Sequence, residues 1–135
     1  MELKKSYVGL AWWTLGYLAG LVGIMLLLPE ADAALQMRGV FCFTAAGTAL
    51  LAYIIWRTES VYWYNGTEYE AAVEAGSERR RAFAWRHFRI FGWYALAQTV
   101  FCAAMHLLGL PWWIDIIVFC VGLCAAAFST IPIKL

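Results

Sequence analysis

Charge is what this chain has least of. Asp, Glu, Lys and Arg make up 14% of its 135 residues, against roughly 25% in soluble domains. Residues 7–28, 39–56 and 90–110 hold none, and Asp115 stands alone within 112–133. Runs of this kind exclude a soluble helical bundle, whose helices need a polar face toward water. Proline is equally sparse. Pro29, Pro111 and Pro132 are the three in the chain, and each sits at the edge of an apolar run, where a helix can stop or start.

Other absences narrow the chemistry. The four cysteines, Cys42, Cys102, Cys120 and Cys124, lie inside apolar runs and form no CxxC pair, so they read as small buried thiols, not a redox motif. Cys120 and Cys124 share a helical face, but no further soft ligand accompanies them, and no metal or cofactor is expected. No HExxH, GxSxG or Walker motif occurs, and no nucleophile–base pair stands out. The expectation is a protein that is not an enzyme. Asp and Glu are missing from the centres of all four runs, which counts against a proton-coupled exporter.

What is present is length. Each run has about the 20 residues that a helix needs to cross roughly 30 Å of hydrocarbon. The predicted fold is a single all-α transmembrane domain over residues 1–135, with spans at about 7–28, 39–56, 88–110 and 112–132 and a loop over 57–87. A signal peptide ending near Ala31-Asp32-Ala33 is the competing reading of the first run, but the apolar region is too long for one. Pro29 closes that span, and residues 30–38 read as a short external loop with Glu30 and Asp32 as external acids.

The basic residues give a direction. Lys4, Lys5, Arg57, Arg79, Arg80, Arg81, Arg86, Arg89 and Lys134 fall on one side of this topology and only Arg38 on the other. Nine against one predicts a multi-pass plasma-membrane protein with both termini in the cytoplasm, and any homo-oligomer parallel. Arg79, Arg80, Arg81, Arg86 and Arg89 read together as a topology and headgroup anchor with affinity for anionic lipid. They do not read as a nucleic-acid patch.

The 57–87 loop carries its own order. Val61, Tyr62, Trp63 and Tyr64 form an interfacial aromatic cluster, and Asn65-Gly66 marks a turn. Thr67 and Glu70 have the capping-box spacing that would open a short cytosolic helix through Ala75, with Gly76 as its C-terminal cap and Ser77 capping the next helix.

Two features inside the spans draw notice. Gly9, Gly16, Gly20 and Gly23 fall on one side of the first span and predict a helix-packing seam, within the chain or with a second copy. Gln98 and Thr99 near mid-span and His106 make the third span the most polar, and Asp115 lies at a depth similar to that of His106 across the 108–111 turn. These four form a candidate ion or substrate face. His106 and Asp115 are read either as a titratable pair or as a hydrogen bond clamping the hairpin.

Residues 56–135 resemble small Gram-positive membrane proteins grouped with the immunity protein against a sporulation-delay killing factor, and related uncharacterised families. The resemblance rests on Trp63, Tyr64, Asn65 and Gly66, the acidic stretch 68–74, and the basic stretch 79–92 leading into two closing spans. It implies immunity or signalling in a bacterial membrane and transfers no catalytic residue. The expected function is accessory, regulatory or immunity-type, exerted through helix packing and the cytosolic loop on a membrane-protein partner or a parallel copy. The alternative is a small transporter or channel subunit using the third-span face.

Overall fold

The computed structural model describes residues 3–28, 32–64 and 66–135. Pro29, Glu30, Ala31 and Asn65, read above as a span end, an external acid, part of a cleavage motif and part of a turn, lie outside the described residues. Four helices follow one another: α1 (Val8–Leu27), α2 (Ala33–Thr58), α3 (Tyr69–Leu107) and α4 (Trp113–Thr130), with a 3-10 turn at Val61–Trp63 between α2 and α3. All four are long and apolar enough to cross a membrane. The chain is a multi-pass membrane protein.

Burial fits a lipid solvent. Trp12, Leu15, Leu18 and Val22 on α1, Leu96 and Val100 on α3, and Ile117 and Val121 on α4 are all exposed, which water would not tolerate on one small domain. The helices alternate in direction, so the structure has two distinct ends. One end carries both chain termini: Leu3 accepts a hydrogen bond from Tyr69 and Leu135 one from Arg79. The other carries the two remaining turns, where Arg38 reaches the Leu110 carbonyl. Helix α3 packs most heavily, between α2 and α4, while no residue of α1 is buried.

The start of α2 corrects the expected 30–38 loop. Asp32 caps the helix, its carboxylate accepting from the Ala34 N–H at 2.8 Å, and the helix-forming Ala-Ala-Leu-Gln-Met run continues it at once. Arg38 is therefore a helical residue, 5% exposed. On α3, Gly76 interrupts the helix with φ 75° and ψ 166°, a backbone that glycine adopts without strain. Residues 69–75 are helical on one side of the break and 77–107 on the other. The expected capping box is not formed: Glu68 takes the N-cap position, with no side-chain cap bond.

The glycine seam divides in two. A Cβ on Gly9 would stand 2.9 Å from the Trp63 ring, and one on Gly20 would strike the Phe43 ring. Phe43 is itself stacked on Tyr17, 5.6 Å between centroids, and Tyr17 on Trp13, so the ring has little freedom to move aside. Gly16 and Gly23 meet nothing within 4 Å. Packing within the chain thus uses Gly9 and Gly20. Overpacking of this kind costs about 1–3 kcal/mol. Gly20→Val is expected to lower the melting temperature in detergent, and Gly16→Val to leave it unchanged.

Candidate functional site

Glu59 sits directly after α2, in the left-handed region at φ 57°. That conformation favours glycine and costs other residues roughly 1–2 kcal/mol. The carboxylate explains why a side chain occupies it. Glu59 is 3% exposed and collects four donors. Oε2 accepts from Arg80 Nη2 at 2.8 Å and Nε at 3.2 Å, and Oε1 from Arg81 Nε and Ser77 Oγ, both at 2.7 Å. Arg80, equally buried, also donates to the Ala72 carbonyl at 3.0 Å. That carbonyl belongs to the last turn before the Gly76 break, where carbonyls lose their intrahelical partners. One guanidinium therefore fastens the end of α2 to both sides of the break. Burial alone would raise the Glu59 carboxyl, but the bonds from Ser77, Arg80 and Arg81 outweigh it and hold the group below its ordinary value.

Aromatic hydroxyls then fix the N-terminal segment to the same end. Tyr62 Oη accepts from the Ser6 N–H at 2.9 Å and stands 2.8 Å from the Ser6 carbonyl, which also accepts from Trp63 Nε1 at 3.0 Å. Tyr69 Oη donates to the Leu3 carbonyl at 2.6 Å. Ile55, Val61, Tyr62, Ala72, Phe83 and Ala84 form the buried core beneath. Beside it opens a cavity of about 810 Å³ between α2, α3 and α4, whose walls include Thr48, Tyr64, Phe83, His87, Thr130 and Lys134. The His87 ring lies 4.3 Å from Tyr64 and 4.4 Å from Phe83, centroid to centroid. Its Nδ1 is 3.0 Å from the Phe83 carbonyl; a carbonyl only accepts, so Nδ1 carries a proton and Nε2 is the neutral ring's acceptor. Among the described residues the buried Tyr64 hydroxyl has no partner, and burial pushes its phenol well above the ordinary range.

At the opposite end Asp115, fully buried, pairs with Arg38, Nε to Oδ2 at 3.0 Å, and Arg38 Nη2 reaches the Leu110 carbonyl at 2.6 Å. Among the described residues the buried Oδ1 of Asp115 has no partner. His106 is exposed on α3, so the acid is paired across the bundle with Arg38 and not with its neighbour in the hairpin. The four residues of the third-span face are not brought together. Gln98 is buried and donates to Cys102 Sγ at 3.2 Å, whereas Thr99 is exposed and bonds back to the Ala95 carbonyl. On a helix, Gln98, Cys102 and Met105 share the inward side, and Thr99 and His106 the outward one.

The arginine cluster also separates. Arg80 is buried on Glu59 and faces no headgroup, Arg81 shares that acid, and Arg79 bonds the Leu135 carbonyl. Arg86 and Arg89 are exposed. Glu59 and His87 help to build this end of the structure, although composition and spacing assign neither a role. The available signal was an acid set directly between the end of a span and the aromatic cluster at 61–64.

Two measurements check this geometry. Removing one member of a buried pair costs about 3–5 kcal/mol, so Glu59→Gln should lower the melting temperature strongly. Glu59→Gly, which relieves the backbone, should still melt below wild type. Because the folded carboxyl lies below its ordinary 4.5, its stabilisation is complete above that pH and lost as pH falls through the folded value. Glu59→Gln should flatten the acid limb of the stability profile. At the other end, Arg38→Ala and Asp115→Ala should each destabilise by about 3–5 kcal/mol, and Arg38→Met with Asp115→Leu by much less, because the paired change leaves no buried charge unpartnered. Thermal melts of these three variants would check this. No family model, curated protein or solved structure matches this chain.

Proposed function

We propose that this chain is a non-enzymatic accessory, regulatory or immunity-type protein of a bacterial plasma membrane, with both termini and the 59–87 segment in the cytoplasm. The observation that carries the reading is the construction of that end. Residues 59–80 are tied to α2, to the N-terminal segment and to the C-terminus by side-chain bonds, so they form a fixed surface instead of a passive connector. The 69–75 helix presents Glu70 and Glu74 beside Val73, which is 48% exposed, with Glu68 before it and Glu78 after it in sequence, all four acids exposed. Fixed like charges around an apolar centre suit a partner with a basic surface. The nine-to-one basic bias supports the orientation, and with it a parallel arrangement of any second copy.

A second reading, a small transporter or channel subunit, draws its support from the cavity lined by Tyr64 and His87, since Gln98, Thr99, His106 and Asp115 do not converge. Its volume lies in the range of ligand pockets, about 300–1,000 Å³.

A mild-detergent pull-down separates the two. Val73→Ser combined with Glu70→Gln and Glu74→Gln changes exposed groups only, so the protein should stay folded and lose a membrane-protein partner that wild type retains. Retention of that partner by the variant would overturn the first reading. Flux in liposomes that is blocked by Ala127→Trp in the cavity wall would favour the second.

A further inference from the structure

Five arginines lie within residues 79–89, and the bonding of three is accounted for. Arg80 and Arg81 are bound to Glu59, and Arg79 to the Leu135 carbonyl. Arg86 and Arg89 differ from these. Both are exposed, and among the described residues neither takes part in an ion pair or a side-chain hydrogen bond. The helix offers them no relief either. Residues 82, 83, 85, 90, 92 and 93, their neighbours at three and four positions, include no carboxylate. Two like charges at this spacing repel and destabilise the helix.

Trp93 continues the same face, one turn further along α3. Together with Ile90 and Ile133 from the C-terminal segment, these side chains line a cleft of about 330 Å³. Its composition is graded along the helix, with two guanidiniums at one end and apolar groups toward the middle of the span. Trp93, 67% exposed, has the amphipathic ring found at headgroup depth. A free phosphate would use the arginines but gain nothing from Ile90, Trp93 and Ile133. A phospholipid would use both parts.

We propose that the Arg86–Arg89–Trp93–Ile133 cleft binds one anionic phospholipid, its phosphate held by the two guanidiniums and an acyl chain laid over Trp93 and Ile133. Guanidinium forks match phosphate oxygens in geometry and charge, and a bound anion removes the repulsion between the arginines. Ile133 also lines the large cavity, so an occupied cleft would hold the C-terminal segment against α3 and narrow the freedom of that cavity's wall. The site is independent of the acidic partner surface proposed above.

Native mass spectrometry of the full chain, released from nanodiscs of equal phosphatidylglycerol and phosphatidylcholine, tests this directly. Wild type should retain one phosphatidylglycerol in preference to phosphatidylcholine. The Arg86→Gln, Arg89→Gln double variant should bind it roughly 10- to 30-fold more weakly, and Arg79→Gln should bind as wild type does. Added phosphatidylglycerol should raise the melting temperature of wild type and not of the double variant, whose own fold is unaffected because both side chains are exposed. Equal retention of the two lipids, unchanged retention in the double variant, or displacement of the lipid by millimolar inorganic phosphate would each overturn the proposal.

Discussion

The bond between Arg80 and Glu59 is the constraint on which the terminus-bearing end depends. It joins residues 21 apart in sequence and, through the Ala72 carbonyl, closes the helix break at Gly76. Without it three pieces lose their common attachment: the end of α2, the 69–75 stretch and the long part of α3. Tyr62, between α2 and the 69–75 stretch, and Tyr69, which begins that stretch, in turn hold the N-terminal segment. Arg81 adds less, because its side chain is 59% exposed and exposed pairs contribute at most about 1 kcal/mol. A buried pair is poor evidence of net stability. It does define one geometry, since any other leaves a charge unpaired in an apolar setting.

The opposite end uses the same device with different parts. Arg38, Asp115 and the Leu110 carbonyl join the start of α2 to the α3–α4 turn, and Phe41 stacks on Phe119 just inside, 4.8 Å between centroids. Helices α2 and α4 therefore meet at that end. Toward the other end the cavity beside Tyr64 and His87 separates them. The bundle is a wedge, clasped where the turns are and open where the termini are. The two functional readings use neighbouring surfaces: Glu68 borders the cavity, and the arginine cleft shares Ile133 with it.

The parts of this fold that were legible in the sequence were those carried by local composition. Three uncharged runs and a fourth broken only by Asp115 announce four apolar helices, because the hydrocarbon thickness sets a length that is visible without knowing any contact. Gly76 was legible for the same reason, as a backbone conformation that favours one residue type. Pairings between helices were not. Nothing in periodicity says that Asp115 meets Arg38 and not His106, since that depends on how α2 and α4 rotate about their axes. The glycine stripe failed halfway for a related reason. Its face is a property of α1 alone, but contact at Gly20 and open space at Gly16 depend on where Phe43 and Tyr17 happen to stand on each other. Glu59 was passed over because its importance comes from partners on a different element.

The Arg38–Asp115 pair has a consequence for biosynthesis. The two residues are 77 positions apart, so the ribosome finishes α2 well before it makes the acid. At about 5–20 residues per second the interval is roughly 4–15 s, long compared with side-chain motion. During that time Arg38, near one end of its helix, can keep its guanidinium in headgroup water by extending along its stem. Only the arrival of α4 lets it withdraw. Helix α4 thus closes this clasp, and a chain stopped before Asp115 would be left with a charged residue that has no reason to leave the membrane surface.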